Sequence, residues 1–202
     1  MLHQISEKCT RVLIHNHIIS SEEIELYTYG FEQVISTALI LVSIFIISAL
    51  MHNIWFGLLF TICFSPLRVF IGGFHCETYA KCFFFSNGVF LVSVFLTKVL
   101  MLLPAAFTLF INIVILLLCN ILVYRFAPIQ HPNHLLSPKR AIRNKRKARI
   151  LVIVQCSILT VGNLICFVGQ IDMTLIELSV VSTALSVNFM MVAKLHTKGG
   201  KS

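Results

Sequence analysis

The sequence predicts an all-α integral membrane protein with about six transmembrane helices and both termini in the cytoplasm. Its mean hydropathy is +0.90, with 57% hydrophobic and only 12% charged residues. Soluble domains contain about 45–50% apolar and about 25% charged residues. Residues 33–67 also contain no Asp, Glu, Lys or Arg. These observations exclude a soluble enzyme, a disordered chain and a secreted disulfide scaffold.

The spans follow from the length of the apolar stretches. A membrane-spanning helix needs about 20 apolar residues, and His52 and Asn53 divide the long uncharged stretch in two. The predicted spans are residues 34–51, 54–71, 82–97, 105–124, 150–169 and 173–193. We interpret residues 31–198 as one polytopic membrane domain. Residues 1–30 form an amphipathic segment that we expect at the membrane surface, because its apolar residues fall near one helical face.

The orientation follows from the basic residues. With the N-terminus inside, every Lys and Arg except Lys98 falls on the cytoplasmic side, which is the distribution that the positive-inside rule describes. Half of them lie in a predicted basic cytoplasmic loop, residues 125–149. The sequence therefore predicts a multi-pass membrane protein that contacts lipid.

No cofactor or metal is predicted. The seven cysteines include no Cys-x-x-Cys pair and no framework of spaced cysteines in loops, so neither disulfides nor a zinc cluster is indicated. His131 and His134 have a spacing that could hold a metal on a helix, but Pro132 between them indicates a loop.

One segment combines chemically versatile side chains at the predicted cytoplasmic membrane edge: residues 68–82, RVFIGGFHCETYAKC. On a helix, His75 and Cys82 would share a face, and a Cys–His pair is the minimum for thiol nucleophilic catalysis. Their Cα atoms would then be about 10 Å apart, too far for direct contact. The backbone near His75 must therefore leave the ideal helix, which Gly72 and Gly73 permit. An interfacial histidine beside a buried cysteine is the alternative reading.

Three further side chains are predicted near this pair. Thr78, Tyr79 and Ser86 lie on the helical face of Cys82 and are candidates for contact with substrate. Glu77 is a weak candidate for orienting the histidine, since Lys81 lies at the favourable i+4 position.

This segment resembles the accessory gene regulator B family of membrane peptidases, which act in bacterial quorum sensing. The matching residues are Arg68, Gly72, Gly73, His75 and Cys82, with the His–Cys spacing of that family. A second similarity comprises the Ala-Pro pair at 127–128 and the NHLLSP stretch at 133–138. Chain size and the number of spans also agree.

The resemblance implies a cysteine endopeptidase with no cofactor. Cys82 would be the nucleophile, His75 its general base, and Arg68 and Gly73 supporting positions. The substrate would be a small precursor peptide whose C-terminal tail is removed at the cytoplasmic face. The remaining part would form a thioester on Cys82, then cyclise to a thiolactone or lactone. A homodimer is also implied. One departure is Cys76, where the family commonly has alanine.

Two other functions remain open from the sequence. A small peptide transporter or exporter without proteolysis would leave the His–Cys motif without a role, and such proteins usually carry ionisable groups at mid-membrane depth. Here Lys98 and Glu177 lie near span ends. A nucleic-acid tether is disfavoured because the basic run at 139–149 lacks interleaved aromatic residues. We therefore expect no nucleic-acid partner.

Overall fold

The computed structural model describes residues 2–15, 20, 23–71, 78–127 and 138–199. Within these ranges the regular secondary structure is helical. The seven helices are α1 Leu2–His15, α2 Ile24–Leu50, α3 Ile54–Ile71, α4 Tyr79–Leu100, α5 Ala105–Phe126, α6 Pro138–Gly169 and α7 Thr174–Gly199. The predicted all-α class is confirmed.

Five helices, α2 to α6, are long and apolar enough to cross a membrane. The sixth predicted span corresponds to α7, whose apolar part, Thr174–Phe189, is shorter. The chain is therefore a multi-pass membrane protein by composition and helix length. The crossing of α7 and the cytoplasmic placement of both termini stay predictions.

The spacing of Ser20 and Glu23 predicts a helix start that leads into the first span, and α2 begins at Ile24. Glu23 Oε2 accepts hydrogen bonds from the Ser20 backbone N–H and hydroxyl, each at 3.1 Å.

One predicted boundary differs from the structure. The predicted basic loop at 125–149 is helical from Pro138 onward. Its many Lys, Arg and Ala residues are strong helix formers, and proline is favoured at a first helical position. Arg149 fastens this extension to α5 by donating from Nη2 to the Tyr124 carbonyl at 2.7 Å.

The helices pack around a central pair, α3 and α7. One core cluster joins the end of α3 to α5, α6 and α7 through Leu67, Leu116, Val152 and Val180. A second joins α2, α3, α4 and α7 through residues that include stacked and edge-on phenylalanines: Ile44, Phe60, Phe64, Phe90 and Leu178. Both ends of α3 are thereby fixed, and α3 and α4 carry the candidate site.

The amphipathic helix α1 lies against α2. Thr28 donates its hydroxyl to Thr10 at 3.1 Å, and both side chains are buried. His3 Nδ1 lies 2.6 Å from Glu32 Oε1. These contacts place α1 close to the end of α2 that approaches α4.

Candidate functional site

The predicted catalytic segment connects the end of α3 to the start of α4. α3 ends at Ile71, immediately before two glycines, which are poor helix formers. Gly72, Gly73, His75 and Cys76 all lie outside the described residues. The structure describes the two sides of the segment, from which Arg68, Thr78, Tyr79, Cys82 and Ser86 project.

Thr78 begins α4 as its N-cap. Its backbone is extended (φ −133°, ψ 149°), and its Oγ1 accepts a hydrogen bond from the Lys81 backbone N–H at 3.3 Å. This is the usual way in which threonine satisfies a free donor at a helix start. α4 therefore starts only after Thr78, which agrees with the expectation that the backbone leaves the ideal helix ahead of Cys82.

Cys82 lies in the first turn of α4 and is half-buried. Arg68, from the last turn of α3, donates from Nη2 to its Sγ at 3.7 Å. The sulfur thus accepts from a guanidinium, next to the start of α4.

Arg68 is itself held by α4. Its Nη1 donates to Ser86 Oγ at 3.2 Å, and its guanidinium lies 5.9 Å from the centre of the Phe85 ring. Ser86 is buried, one helical turn beyond Cys82. Ser86 therefore contacts Arg68, and Arg68 in turn contacts Cys82. Contact of Ser86 with substrate stays a prediction.

Tyr79 projects toward α2. Its hydroxyl donates to Glu32 Oε2 at 2.8 Å, and the other carboxylate oxygen of Glu32 faces His3 of α1. This contact ties the first residue of α4 to α2. Contact of Tyr79 with substrate, expected from spacing, stays a prediction. Glu32 was not singled out from the sequence, although it is the last charged residue before the long uncharged stretch.

The other described cysteines have different surroundings. Cys63, Cys119 and Cys156 are buried in apolar packing, while Cys9 and Cys166 are half-buried. Among the described cysteines, Cys82 is the one whose sulfur accepts a hydrogen bond from an arginine. A reactive cysteine is expected in a partly exposed, electropositive environment of this kind.

A second polar cluster lies at the opposite end of the bundle, where sequence reasoning predicted only span ends. Glu177 is in the first turn of α7, as expected, but its side chain is fully buried and bonded to Asn112. Asn112 also donates to Asn163 at 2.8 Å. The signal that could have found this cluster is the presence of two asparagines within otherwise apolar spans.

The protein is thus a multi-pass helical membrane protein in which Arg68 contacts the thiol of Cys82 at the start of α4. The sequence profile of the family described as Accessory gene regulator B matches residues 6–192. The chain belongs to this family. Membership indicates involvement in the processing of agr quorum-sensing peptides.

A curated relative supports this assignment. The chain is 27% identical over 151 residues to a "Putative AgrB-like protein" of Clostridium perfringens (strain SM101 / Type A), and the alignment covers 74% of this chain and 69% of the relative. No solved structure matches the chain.

Proposed function

We propose that this protein is a membrane cysteine endopeptidase that removes the C-terminal tail of a small quorum-sensing precursor peptide and allows the remainder to cyclise. The observation that carries the proposal is the contact of Arg68 with Cys82 in the first turn of α4. Membership of the accessory gene regulator B family supports a peptide-processing role.

In this proposal Cys82 is the nucleophile and His75 the general base. His75 takes the thiol proton, and the Cys82 sulfur attacks the carbonyl carbon of the scissile peptide bond. The C–N bond breaks, the tail leaves as an amine that receives the proton, and a thioester links the precursor to Cys82. The extended backbone at Thr78 supports the pairing, because the separation of about 10 Å applies only to a helix that continues through residue 78.

Cyclisation follows from a second attack. A thiol or hydroxyl inside the precursor adds to the thioester carbonyl, the C–S bond to Cys82 breaks, and the released sulfur regains a proton. The product is a cyclic thiolactone or lactone. Water must be kept away from the thioester for this to compete with hydrolysis, and a half-buried sulfur at a membrane edge suits that requirement.

The supporting positions have distinct proposed roles. Arg68 stabilises charge on the sulfur and orients it, and Ser86 holds Arg68. Thr78 fixes the start of α4. Glycine at positions 72 and 73 permits backbone conformations that other residues rarely adopt. A homodimer, a precursor peptide as partner and an active site at the cytoplasmic face complete the proposal.

The test is co-expression with an epitope-tagged short peptide gene taken from beside the gene for this chain. We expect release of the tagged tail, and a covalent adduct on Cys82 that hydroxylamine removes. Cys82→Ala should abolish both, while Cys9→Ala, a change at another half-buried cysteine, should leave both intact. Tail release that survives Cys82→Ala would contradict the proposal.

The alternative is a peptide transporter without proteolysis. The sequence places Glu177 near a span end, but its carboxyl is fully buried in the structure. This burial favours a transporter, because ionisable groups inside membrane bundles often mark transport paths. Movement of an intact peptide across vesicles, with no tail release, would favour this second function.

A further inference from the structure

A cluster of three buried polar side chains joins α5, α6 and α7 far from Cys82. Asn112, Asn163 and Glu177 are each fully buried. Asn112 Nδ2 donates to Asn163 Oδ1 at 2.8 Å and to Glu177 Oε2 at 2.6 Å. The proposed peptidase mechanism uses none of these residues.

Two oxygens of this cluster lack a donor. Among the described residues, neither Glu177 Oε1 nor Asn112 Oδ1 has a hydrogen-bond partner. A buried polar atom left unpaired usually costs about 1–3 kcal/mol, and a buried charge costs more. Asn112 and Glu177 are hydrogen-bonded to each other, so the two unpaired oxygens belong to one cluster. Two such oxygens together indicate a bound ligand that accepts electron pairs from both.

The hydrogen bonds fix which atoms face each other. Asn163 Nδ2 donates to the Leu159 carbonyl at 2.8 Å, so its Oδ1 must face Asn112. Asn112 therefore presents Nδ2 to Asn163, and the same nitrogen faces Glu177 Oε2. A protonated Glu177 does not fit this arrangement. A hydrogen on Oε2 would point at the hydrogens of Asn112 Nδ2, and a hydrogen on Oε1 would have no acceptor within hydrogen-bond distance among the described residues.

Among the residues that the structure describes, no basic side chain forms an ion pair with Glu177. The charged residues of α5 and α6 lie at the opposite ends of those helices, at Arg125 and between residues 139 and 149. Arg68 of α3 also belongs to that end, and Lys98 of α4 is exposed. The cluster carries one carboxylate, so a single positive charge balances it.

A cavity lies close to the cluster. It has a volume of about 720 Å³, lies beside the α4–α5 and α6–α7 connections, and has Asp172 in its lining. Thr108, Cys166 and Met173 also line it, and each is about one helical turn along the chain from a member of the cluster. The cavity is therefore the nearest opening described on this side of the cluster.

We propose that Asn112, Asn163 and Glu177 form a binding site for a small monovalent cation that enters through this cavity. Carboxylate and amide oxygens are preferred ligands of hard cations. Glu177 Oε1 and Asn112 Oδ1 supply two such oxygens, and water from the cavity completes the coordination. A divalent ion is disfavoured because it would leave an uncompensated positive charge in an apolar interior. The site does not depend on the peptidase function.

The test measures thermal unfolding of the purified full chain in detergent, at about pH 8, where an unperturbed carboxyl is ionised. Sodium, lithium, potassium and choline chloride are compared at constant ionic strength. Sodium should raise the Tm in a saturable way, by about 3–6 °C at about ten times its dissociation constant, whereas choline should not.

The variants assign the effect to the cluster. Glu177→Gln should remove the sodium-dependent rise in Tm. Asp172→Asn, which removes a carboxylate from the cavity lining but not from the cluster, should retain it.

Two results would overturn the proposal. One is an equal Tm in every metal chloride and in choline chloride while acidification alone raises the Tm, which would mean that Glu177 carries a proton. The other is a sodium response that persists in Glu177→Gln. If Glu177→Gln does not fold, the ion series on the wild-type chain decides: a saturable rise that discriminates among the ions supports the site, and its absence refutes it.

Discussion

Arg68 Nη2 lies 3.7 Å from the sulfur of Cys82 and joins the last turn of α3 to the first turn of α4. The same guanidinium donates to Ser86, which fixes its plane against α4. The Arg68 guanidinium and the half-buried Cys82 thiol are therefore in contact, although they lie on opposite sides of the chain segment that carries His75. This relationship is the basis of the proposed chemistry.

Replacing Arg68 should lower the reactivity of Cys82. We expect Arg68→Gln to reduce the rate of iodoacetamide labelling at Cys82 by about tenfold, because the change removes the positively charged group that contacts the sulfur at 3.7 Å. Mass spectrometry of the labelled peptides measures the rate. Labelling of Cys166 in the same sample is the internal control, and an unchanged rate at Cys82 would show that Arg68 does not activate the thiol.

Ser86 should act through Arg68. Ser86→Ala removes the acceptor of the Nη1 hydrogen bond, so we expect a smaller loss of labelling rate than in Arg68→Gln. In the Arg68→Gln background the serine change should add little further effect, because the two residues share one interaction. Independent, additive losses would mean that Ser86 contacts the sulfur or the probe directly.

The hydrogen bond between Tyr79 and Glu32 should stabilise the start of α4. Tyr79→Phe should lower the free energy of unfolding by about 1 kcal/mol, the usual value for one such bond. A double-mutant cycle with Glu32→Ala, which removes the acceptor, isolates the pair. A coupling energy near zero would contradict the proposed tie between α2 and α4.

Close packing of α2 on α3 depends on Gly57. A Cβ atom there would meet Ser48 Oγ at 2.6 Å, so Gly57→Ala should cost about 1–3 kcal/mol of stability. Gly88→Ala on α4 is the matched control, since a Cβ at that position meets nothing within 4 Å. That change should instead stabilise the helix by about 0.5–1 kcal/mol. Equal effects of the two changes would refute this packing argument.

Asp172 should make stability depend on acid pH. The Thr174 hydroxyl and backbone N–H both donate to its carboxylate, and they hold its pKa below the ordinary value. The stabilisation is therefore present above the unfolded pKa of about 4 and is lost as the pH falls through the lower folded pKa. Thermal unfolding should show that the Tm of the wild type exceeds that of Asp172→Asn, and that this difference decreases as the pH is lowered. A difference that increases at lower pH would contradict the lowered pKa of Asp172.

Much of the fold could be predicted from the sequence because apolar length and charge distribution control helix placement in a membrane. The five long spans follow from these patterns. Helix extension beyond the apolar run could not be predicted in this way, since residues 138–149 are polar yet strong helix formers.

The candidate site could be predicted only in part. Sequence spacing marks Cys82, and the family resemblance adds Arg68. Spacing could not reveal the hydrogen bond from Tyr79 to Glu32, because Glu32 lies on another helix 47 residues earlier in the chain. Contacts between distant elements, such as those of Glu32 and of Asn112 with Glu177, have no local sequence period to reveal them.

The central claim is that Cys82 is a thiol nucleophile activated by His75. The most direct measurement is the rate of brief iodoacetamide labelling at each cysteine of the detergent-purified chain, compared between the wild type and His75→Ala. We predict that Cys82 labels faster than Cys9 and Cys166 and that its advantage falls sharply without His75. A Cys82 that labels no faster than Cys9, or that is indifferent to His75, would contradict the account.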